Sequence, residues 1–338
     1  MSIREIARIS KVSVGTVSHY LNGTRSVAPD KAERIRQAID CIGYKMRIRR
    51  PGPKTRERRG IRCGAVAILL LSELTPTQIY RLPVFPSLFS SIQEQLTSLG
   101  MASIIEQASP HRPLPELLDT RFCDGAIVIP IAARFPLDPA LQARLHSIPH
   151  VCCLSRHPDL RDCVELISFN NALTGRIAAD YFYQRGHSRA VFFNPEPDHP
   201  AYAERGRFFV DECAARGMEA TILSVADCIS SPYHVLARKF LQLSPGVTAV
   251  FFCADHCMAG VAIELGKLGF DVLALDMLGC NYERIFLSLF SQSLATIDIR
   301  IQQIGSLAVE RLLERINRSS SVYPACTLLD PMLINPAT

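Results

Sequence analysis

The sequence predicts an α/β protein, a small all-helical head followed by a two-lobed body of doubly wound parallel sheets. Three observations predict it. The first sixty residues carry short helical patterns bounded by capping residues, together with a strong net positive charge. From Gly64 onward, apolar strand-like runs alternate with helical patterns. About ten such runs are too many for one comfortable open sheet, so the 338 residues divide into a head and two lobes.

In the head, Ser2-Ile3-Arg4-Glu5 fits a capping box that starts the first helix, with Ile6 and Ala7 on its inward side. Ser13 caps a second helix running to about Leu21, and Val12 and Val17 are placed for a hydrophobic staple across that cap. After the turn Asn22-Gly23-Thr24, Pro29 suits the first position of a third helix. Ile35, Ala38, Ile39 and Ile42 share one face of it, and Gly43 closes it. Such an arrangement fits a plain three-helix bundle or a helix-turn-helix module whose second helix enters the major groove of DNA. In the second case Ser13, Thr16, Ser18 and Asn22 suit phosphate oxygens, although Ser18 equally suits a packed helix position.

Residues 1–62 hold sixteen Lys and Arg against five Asp and Glu, which leaves twenty-one against twenty-seven in the rest of the chain. A basic head beside a mildly acidic body is the footprint of a chain that grips a polyanion with one end. The run from Lys45 to Arg59 is dense in cations and is interrupted by Pro51-Gly52-Pro53, which favours extended backbone over helix. Arg47, Arg49, Arg50 and Lys54 therefore either lie in a narrow A·T-rich minor groove or form a basic tether that adds sequence-independent affinity.

In the body, strands are expected at 65–71, 102–106, 125–130, 151–154, 166–169, 190–193, 220–224, 249–253 and 273–278, with helices between them, including one between 106 and 125. The longest apolar run, 65–71, falls far short of the roughly 20 residues that span a bilayer, and Met1 leads straight into a helical pattern with no export signal. A soluble, cytoplasmic, nucleoid-associated chain with no membrane partner is expected. In that setting the twelve cysteines are reduced packing residues. Cys253-Ala254-Asp255-His256-Cys257 lacks the second ligand pair that a structural zinc site needs, so neither metal nor cofactor is expected.

An enzyme would need a nucleophile or phosphate loop, and the chain has no Gly-x-Ser-x-Gly, His-Glu-x-x-His or Gly-x-Gly-x-x-Gly. The stretch 260–267 misses a phosphate loop by one residue, and Leu268 stands where Ser or Thr must hold magnesium. Catalysis is therefore not expected.

Val12 to Asn22, with the pattern Val-Ser-x-x-Thr-Val-Ser-x-x-Leu-Asn, and the ending Ile42-Gly43-Tyr44 closely resemble the head of the LacI/GalR family of bacterial transcription regulators. Further along, Asn170-Asn171, Arg185-Gly186-His187, Ala203-Glu204-Arg205, Asp255 and Leu294-Ala295-Thr296-Ile297 resemble that family's sensor landmarks in order. The resemblance implies a helix-turn-helix domain at 1–46, a linker at 47–63 and a periplasmic-binding-protein-like sensor at 64–338. Its first lobe would be built from about 64–168 and 297–321, its second from about 169–296 and 322–338. Base-reading positions would be Val14, Gly15 and His19, with Ser2 and Tyr44 at the ends of the DNA-contacting set. Val14 suits a thymine methyl; Gly15 either admits the backbone close to the groove or gives up a contact.

The chain departs from the family at several places, among them His19, where Arg is common, and Cys253-Ala254-Asp255, where Asn-Asp is usual. Lys11 stands where Gly is usual in the turn, and a left-handed backbone there would cost it about 1 kcal/mol relative to Gly. Pro51-Gly52-Pro53 stands where a hinge helix is usual, and Asn281 stands where an Asp is usual. For the cleft the resemblance implies Arg205, Asp255, Asn281 and Asn171, while Phe85 or Phe208 could stack on an apolar sugar face. His187 reads as a turn residue. The implied partners are double-stranded operator DNA, a small-molecule effector such as a sugar or sugar derivative, and a second copy of the chain, because one head reads only a half-site. Repression is the family's default and activation the alternative. A sugar-binding protein with no regulatory role would leave the basic head unused.

Overall fold

The structure is a computed structural model and describes residues 3–22, 27–42, 60–131, 135–160, 165–225, 232–243, 246–317 and 326–335. The chain divides into two compact units, residues 1–54 and 55–338.

In the first unit α1 (Ile3–Ser10), α2 (Val14–Asn22) and α3 (Pro29–Ile42) enclose Ile6, Ala7, Val17, Ile35 and Ala38. Thr16 N donates to Ser13 Oγ at 3.1 Å, which caps α2. Val17 is fully buried and Val12 packs at the edge of the same core, the two ends of the expected staple. Lys11 takes φ +53°, so this turn keeps the left-handed conformation that glycine would adopt more cheaply. Val12 N donates to Ala7 O at 3.2 Å across it.

In the second unit one sheet joins β1 (Ala65–Leu71), β2 (Ala102–Ala108), β3 (Gly125–Pro130), β4 (His150–Cys153), β5 (Glu165–Phe169) and β11 (Cys326–Leu329). Their order is β11-β5-β4-β3-β1-β2, all parallel. The other sheet joins β6 (Arg189–Asn194), β7 (Glu219–Ser224), β8 (Ala249–Phe252), β9 (Asp276–Cys280), β10 (Ala295–Asp298) and β12 (Met332–Ile334). Its order is β12-β10-β9-β8-β6-β7, parallel except for β12 against β10.

Alternation along the strands decides which helices cover which face. Val66, Ile68 and Leu70 of β1 pack with residues of α5 (Val84–Ser98) and α12 (Ile301–Asn317), whereas Ala67, Leu69 and Leu71 pack with Leu141 and Leu145 of α6 (Pro139–Ser147). In the second lobe Phe192 and Phe251 meet Phe209 of α8 (Pro200–Ala215). Their neighbours Phe193 and Phe252 stack at 5.0 Å, with Phe240 of α9 (Pro232–Leu241) beside Phe193. The helix α7 (Asn171–Gln184) lies so close to α8 that a Cβ on Gly175 would sit 2.6 Å from Phe209 N.

Two expectations are corrected. The helix expected between 106 and 125 is irregular backbone at 109–124, because Pro110, Pro113 and Pro115 interrupt it. The tail 322–338 does not all belong to the second lobe: β11 extends the first sheet beside β5 and only β12 joins the second, while β10 keeps residues 297 and 298 in the second sheet. The chain thus passes between lobes three times, at Phe169–Asn171, between β10 and α12, and between β11 and β12. Asn170 Nδ2 donates to Asp330 Oδ1 at 3.2 Å and ties two of these passages together. No helix among the described residues is long and apolar enough to cross a membrane.

Candidate functional site

Two groups of residues stand out, one in each unit. In the head, the cap at Ser13 starts α2 with Val14 and Gly15 in its first turn, both exposed, Val14 at 47 %. Thr16, Ser18 and His19 follow and are half-buried. Thr16 Oγ1 lies 2.9 Å from Ser13 Oγ, so the two hydroxyls form a pair at the helix start. Four α2 amides have no partner within the helix at its start, and they present partial positive charge where an anionic phosphate would be favoured. Asn22 ends α2, and its side chain lies outside the described residues, as do Ser2, Tyr44, Arg47, Arg49, Arg50 and Lys54.

In the body, Arg205 of α8 is almost fully buried, at 1 % exposure, at the carboxyl end of the second sheet. Its guanidinium donates to Cys253 O just beyond β8, to Asn281 Oδ1 just beyond β9 at 3.4 Å, and to Asn171 Oδ1 at the start of α7 at 3.4 Å. It lies 5.6 Å from the Phe169 ring and 5.8 Å from the Tyr202 ring. One buried cation thus joins three strand or helix ends, including a passage between the lobes. Removing it would leave three buried acceptors unpaired.

Around it runs a chain of carboxylates. Asn171 Nδ2 donates to Glu204 Oε2 at 2.8 Å, and Asn281 Nδ2 donates to Glu283 Oε1 at 3.0 Å. Glu283 Oε2 accepts from His256 N at 2.9 Å and lies 3.0 Å from His256 Nδ1. Asn281 itself has φ +87°, a conformation Asn tolerates better than most residues. His199, the residue before α8, stacks on Tyr202 at 4.0 Å, and its buried Nδ1 has no hydrogen-bond partner among the described residues. Burial, with the Arg205 charge adding to it, holds the His199 imidazole down to about 4, so it is neutral. Burial drives the Tyr202 phenol well above its ordinary value.

Asp255 takes a different place from the one its residue type suggests. It is the first residue of α10 (Asp255–Lys267), not its cap, and it has no exposed surface. One carboxylate oxygen accepts from Thr296 Oγ1 at 2.8 Å and the other from Glu283 N at 2.6 Å. Both oxygens therefore bind protein, pinning β10 and the loop after β9 to α10. Burial pushes this carboxyl up to about 7 despite the Glu283 amide, and the neighbouring Glu283 charge adds to the rise. Phe85 is likewise corrected, since it sits in the first-lobe core with its ring 5.8 Å from Phe89. Phe208 is covered by the Arg207 guanidinium at 4.1 Å. His187 bridges Asp276 at 2.9 Å and Thr248 at 3.1 Å, a fastening at the start of β6. Arg205, Asn171 and Asn281 are brought together. Glu283, His199 and Tyr202 join them unannounced by any motif, Glu204 and His256 join from stretches singled out for other reasons, and no group of three metal-ligating side chains occurs among the described residues.

A basic three-helix head with an exposed, capped second helix, followed by two parallel-sheet lobes linked by three chain passages, defines the class of helix-turn-helix transcription regulators with a periplasmic-binding-protein-like body. The profile described as "Bacterial regulatory proteins, lacI family" matches residues 2–46, and that of a "Periplasmic binding protein-like domain" matches residues 179–335. The LacI profile thus covers the head and the binding-protein profile covers much of the body, and the similar proteins are transcription regulators. It is 25 % identical over 320 residues to the HTH-type transcriptional repressor PurR of Vibrio atlanticus (strain LGP32), covering 93 % of this chain and 92 % of that protein. It is 23 % identical over 333 residues to the ribose operon repressor of Halalkalibacterium halodurans, covering 94 % and 91 %. In fold it matches a transcriptional regulator CelR–cellobiose complex, with TM-score 0.66, 19 % identity and 99 % of each chain. It also matches the lac repressor dimer bound to operator and the anti-inducer ONPF, with TM-score 0.68, 16 % identity, and 99 % and 98 % of the chains.

Proposed function

We propose that the protein is a transcriptional repressor that binds double-stranded operator DNA as a homodimer, with operator affinity controlled by a carbohydrate-class effector held between the lobes. The observation that carries this reading is the start of α2, where a side-chain cap and exposed first-turn residues coincide in a segment of the sequence rich in Lys and Arg. Val14 meets a thymine methyl, Gly15 lets the backbone approach the groove, and His19 supplies a donor one turn on. Ser13, Thr16, Ser18 and Asn22 orient the helix on phosphates, with Ser2 and Tyr44 at the ends of the head. Arg47, Arg49, Arg50 and Lys54 continue the grip along the backbone or minor groove.

In the body, Arg205, Asn171 and Asn281 face the effector's hydroxyls with Glu283 beside them, and Asp255 holds the wall in place from behind. A ligand shifts DNA affinity only as far as it binds the open and closed lobes unequally, so the network crossing the Phe169–Asn171 passage is where that difference arises. A CelR–cellobiose complex and a ribose operon repressor among the similar proteins support the carbohydrate class.

The test is selection of bound sequences from random duplex DNA with and without a panel of neutral mono- and disaccharides and purine bases. A two-fold symmetric site whose recovery changes with a saccharide is expected. Absence of salt-sensitive binding to any duplex would overturn the DNA reading, and a response to purines alone would overturn the carbohydrate class.

A further inference from the structure

A second polar centre lies where the chain arrives at β1, away from the cleft groups. Asp124 is buried, and its carboxylate accepts four successive backbone amides: Oδ1 from Arg62 N at 2.7 Å and Cys63 N at 2.9 Å, Oδ2 from Gly64 N at 2.7 Å and Ala65 N at 3.3 Å. Asp124 N returns a bond to Ala65 O at 2.8 Å. The segment 62–65 is therefore fixed against 123–125 before the strand pairing begins. Each side of this clamp carries a cysteine, Cys63 exposed and Cys123 buried.

We propose that Cys63 and Cys123 form a reversible, oxidant-driven disulfide that fastens the base of the linker to the sensor. The register of β1 on β3 pairs Val66 with Gly125. Continued backward, it sets Gly64 beside Cys123 and Cys63 one residue further. Parallel neighbours lie about 4.8 Å apart, so a one-residue offset leaves the two Cα atoms about 6 Å apart. That lies inside the roughly 4.4–6.8 Å window a disulfide requires. In a regular pleat adjacent residues point to opposite faces, but Gly64 has φ +69° and stands outside the strand, so the alternation is broken there. The thiols end on neighbouring carbonyls: Cys63 Sγ donates to Thr120 O at 3.5 Å and Cys123 Sγ to Asp119 O at 3.6 Å.

The chemistry needs a peroxide. The Cys63 thiolate attacks one peroxide oxygen, the O–O bond breaks, and water leaves after protonation, giving a sulfenic acid. The Cys123 thiol then attacks the Cys63 sulfur, the S–OH bond breaks, and a second water leaves with the thiol proton. Two thiols and one hydrogen peroxide yield one disulfide and two waters. Burial raises both thiols, with the Asp124 charge adding to it, so the reaction is slow at neutral pH and accelerates as pH rises. Such a clasp answers sustained oxidation rather than a brief pulse.

The full-length reduced protein is treated with equimolar hydrogen peroxide at pH 8, blocked with iodoacetamide and digested without reductant. A linked pair of tryptic peptides, 63–81 and 122–134, each with one cysteine, is expected, and dithiothreitol should separate them. The linked protein should melt about 5 °C or more above the reduced one, because about sixty residues are closed into a loop. Cys63→Ser, at an exposed position, should fold normally and lose both effects. Recovery of Cys63 as alkylated thiol or higher oxide, its linkage to any other cysteine, or an unchanged Tm in linked protein would overturn the proposal.

Discussion

Asp255 and His199 give the body two opposite pH dependences that nearly cancel. The Asp255 carboxyl titrates at about 7 in the folded chain against an ordinary 3.8. Between those values the folded state holds a proton that the unfolded state has released, so stability falls as pH rises through the window, by about 4 kcal/mol in total. His199 has the reverse sign: held down to about 4 from 6.5, it stays neutral when folded while the unfolded chain takes up a proton. Its contribution is present above 6.5 and lost as pH falls, by about 3 kcal/mol. Over pH 4 to 6.5 the two slopes offset each other.

Asp255→Asn isolates them. An Asn Oδ1 can still accept from Glu283 N, and its Nδ2 can donate to Thr296 Oγ1, the two partners Asp255 now serves. Urea unfolding, followed by circular dichroism because the chain has no Trp, should be measured from pH 4.5 to 8. The variant should gain stability over the wild type as pH rises, by about 3 kcal/mol across the range, on top of a constant offset. His199→Phe should show the opposite trend. If wild type and Asp255→Asn differ by the same amount at every pH, the account of a buried, neutralisable carboxyl is wrong.

In the head, Lys11→Gly should relieve the left-handed backbone at φ +53° and raise the hydrogen-exchange protection of α1 and α2 amides by about 1 kcal/mol. No gain would mean the turn is unstrained. A Cβ on Gly15 would come no nearer than 3.8 Å to Ser13 Oγ, so Gly15→Ala should stabilise α2 by up to about 1 kcal/mol. By crowding the groove it should also weaken operator binding at least tenfold while sparing random DNA, in fluorescence anisotropy; equal operator affinity would show that position 15 faces no base. Arg205→Met should destabilise the body by about 3 kcal/mol in urea and abolish the effector response in the same anisotropy assay, since three buried acceptors lose their donor. A stable variant with an intact response would remove Arg205 from the cleft.

The head was legible because its signals are local: Ser13, Val12, Val17 and Pro29 each act within one helix turn. Most strands were legible too, since runs such as 65–71 are apolar throughout. The false helix after β2 came from extending the alternation across three prolines. The division of the tail could not be read, because β11 and β12 differ in partner rather than in pattern. In the cleft, the resemblance grouped Arg205, Asn171, Asn281 and Asp255, and the structure sets the first three side by side, while burial ties Asp255 into the wall and Phe85, offered as a stacking ring, into the first-lobe core. Glu283, His199 and the Asp124 clamp had no sequence signature; only the meeting of distant segments gives them partners.

The last ten described residues bear on how the chain is made. Strands β11 and β12, at 326–329 and 332–334, supply an outer strand to each sheet. During translation the head, finished within the first few dozen residues, can adopt its shape while both lobes still lack their final strand. A chain released only a dozen residues early would leave β5 and β10 with open edges, a template for pairing with a neighbour. Both sheets therefore gain these outer strands only once residues 326–334 are in place.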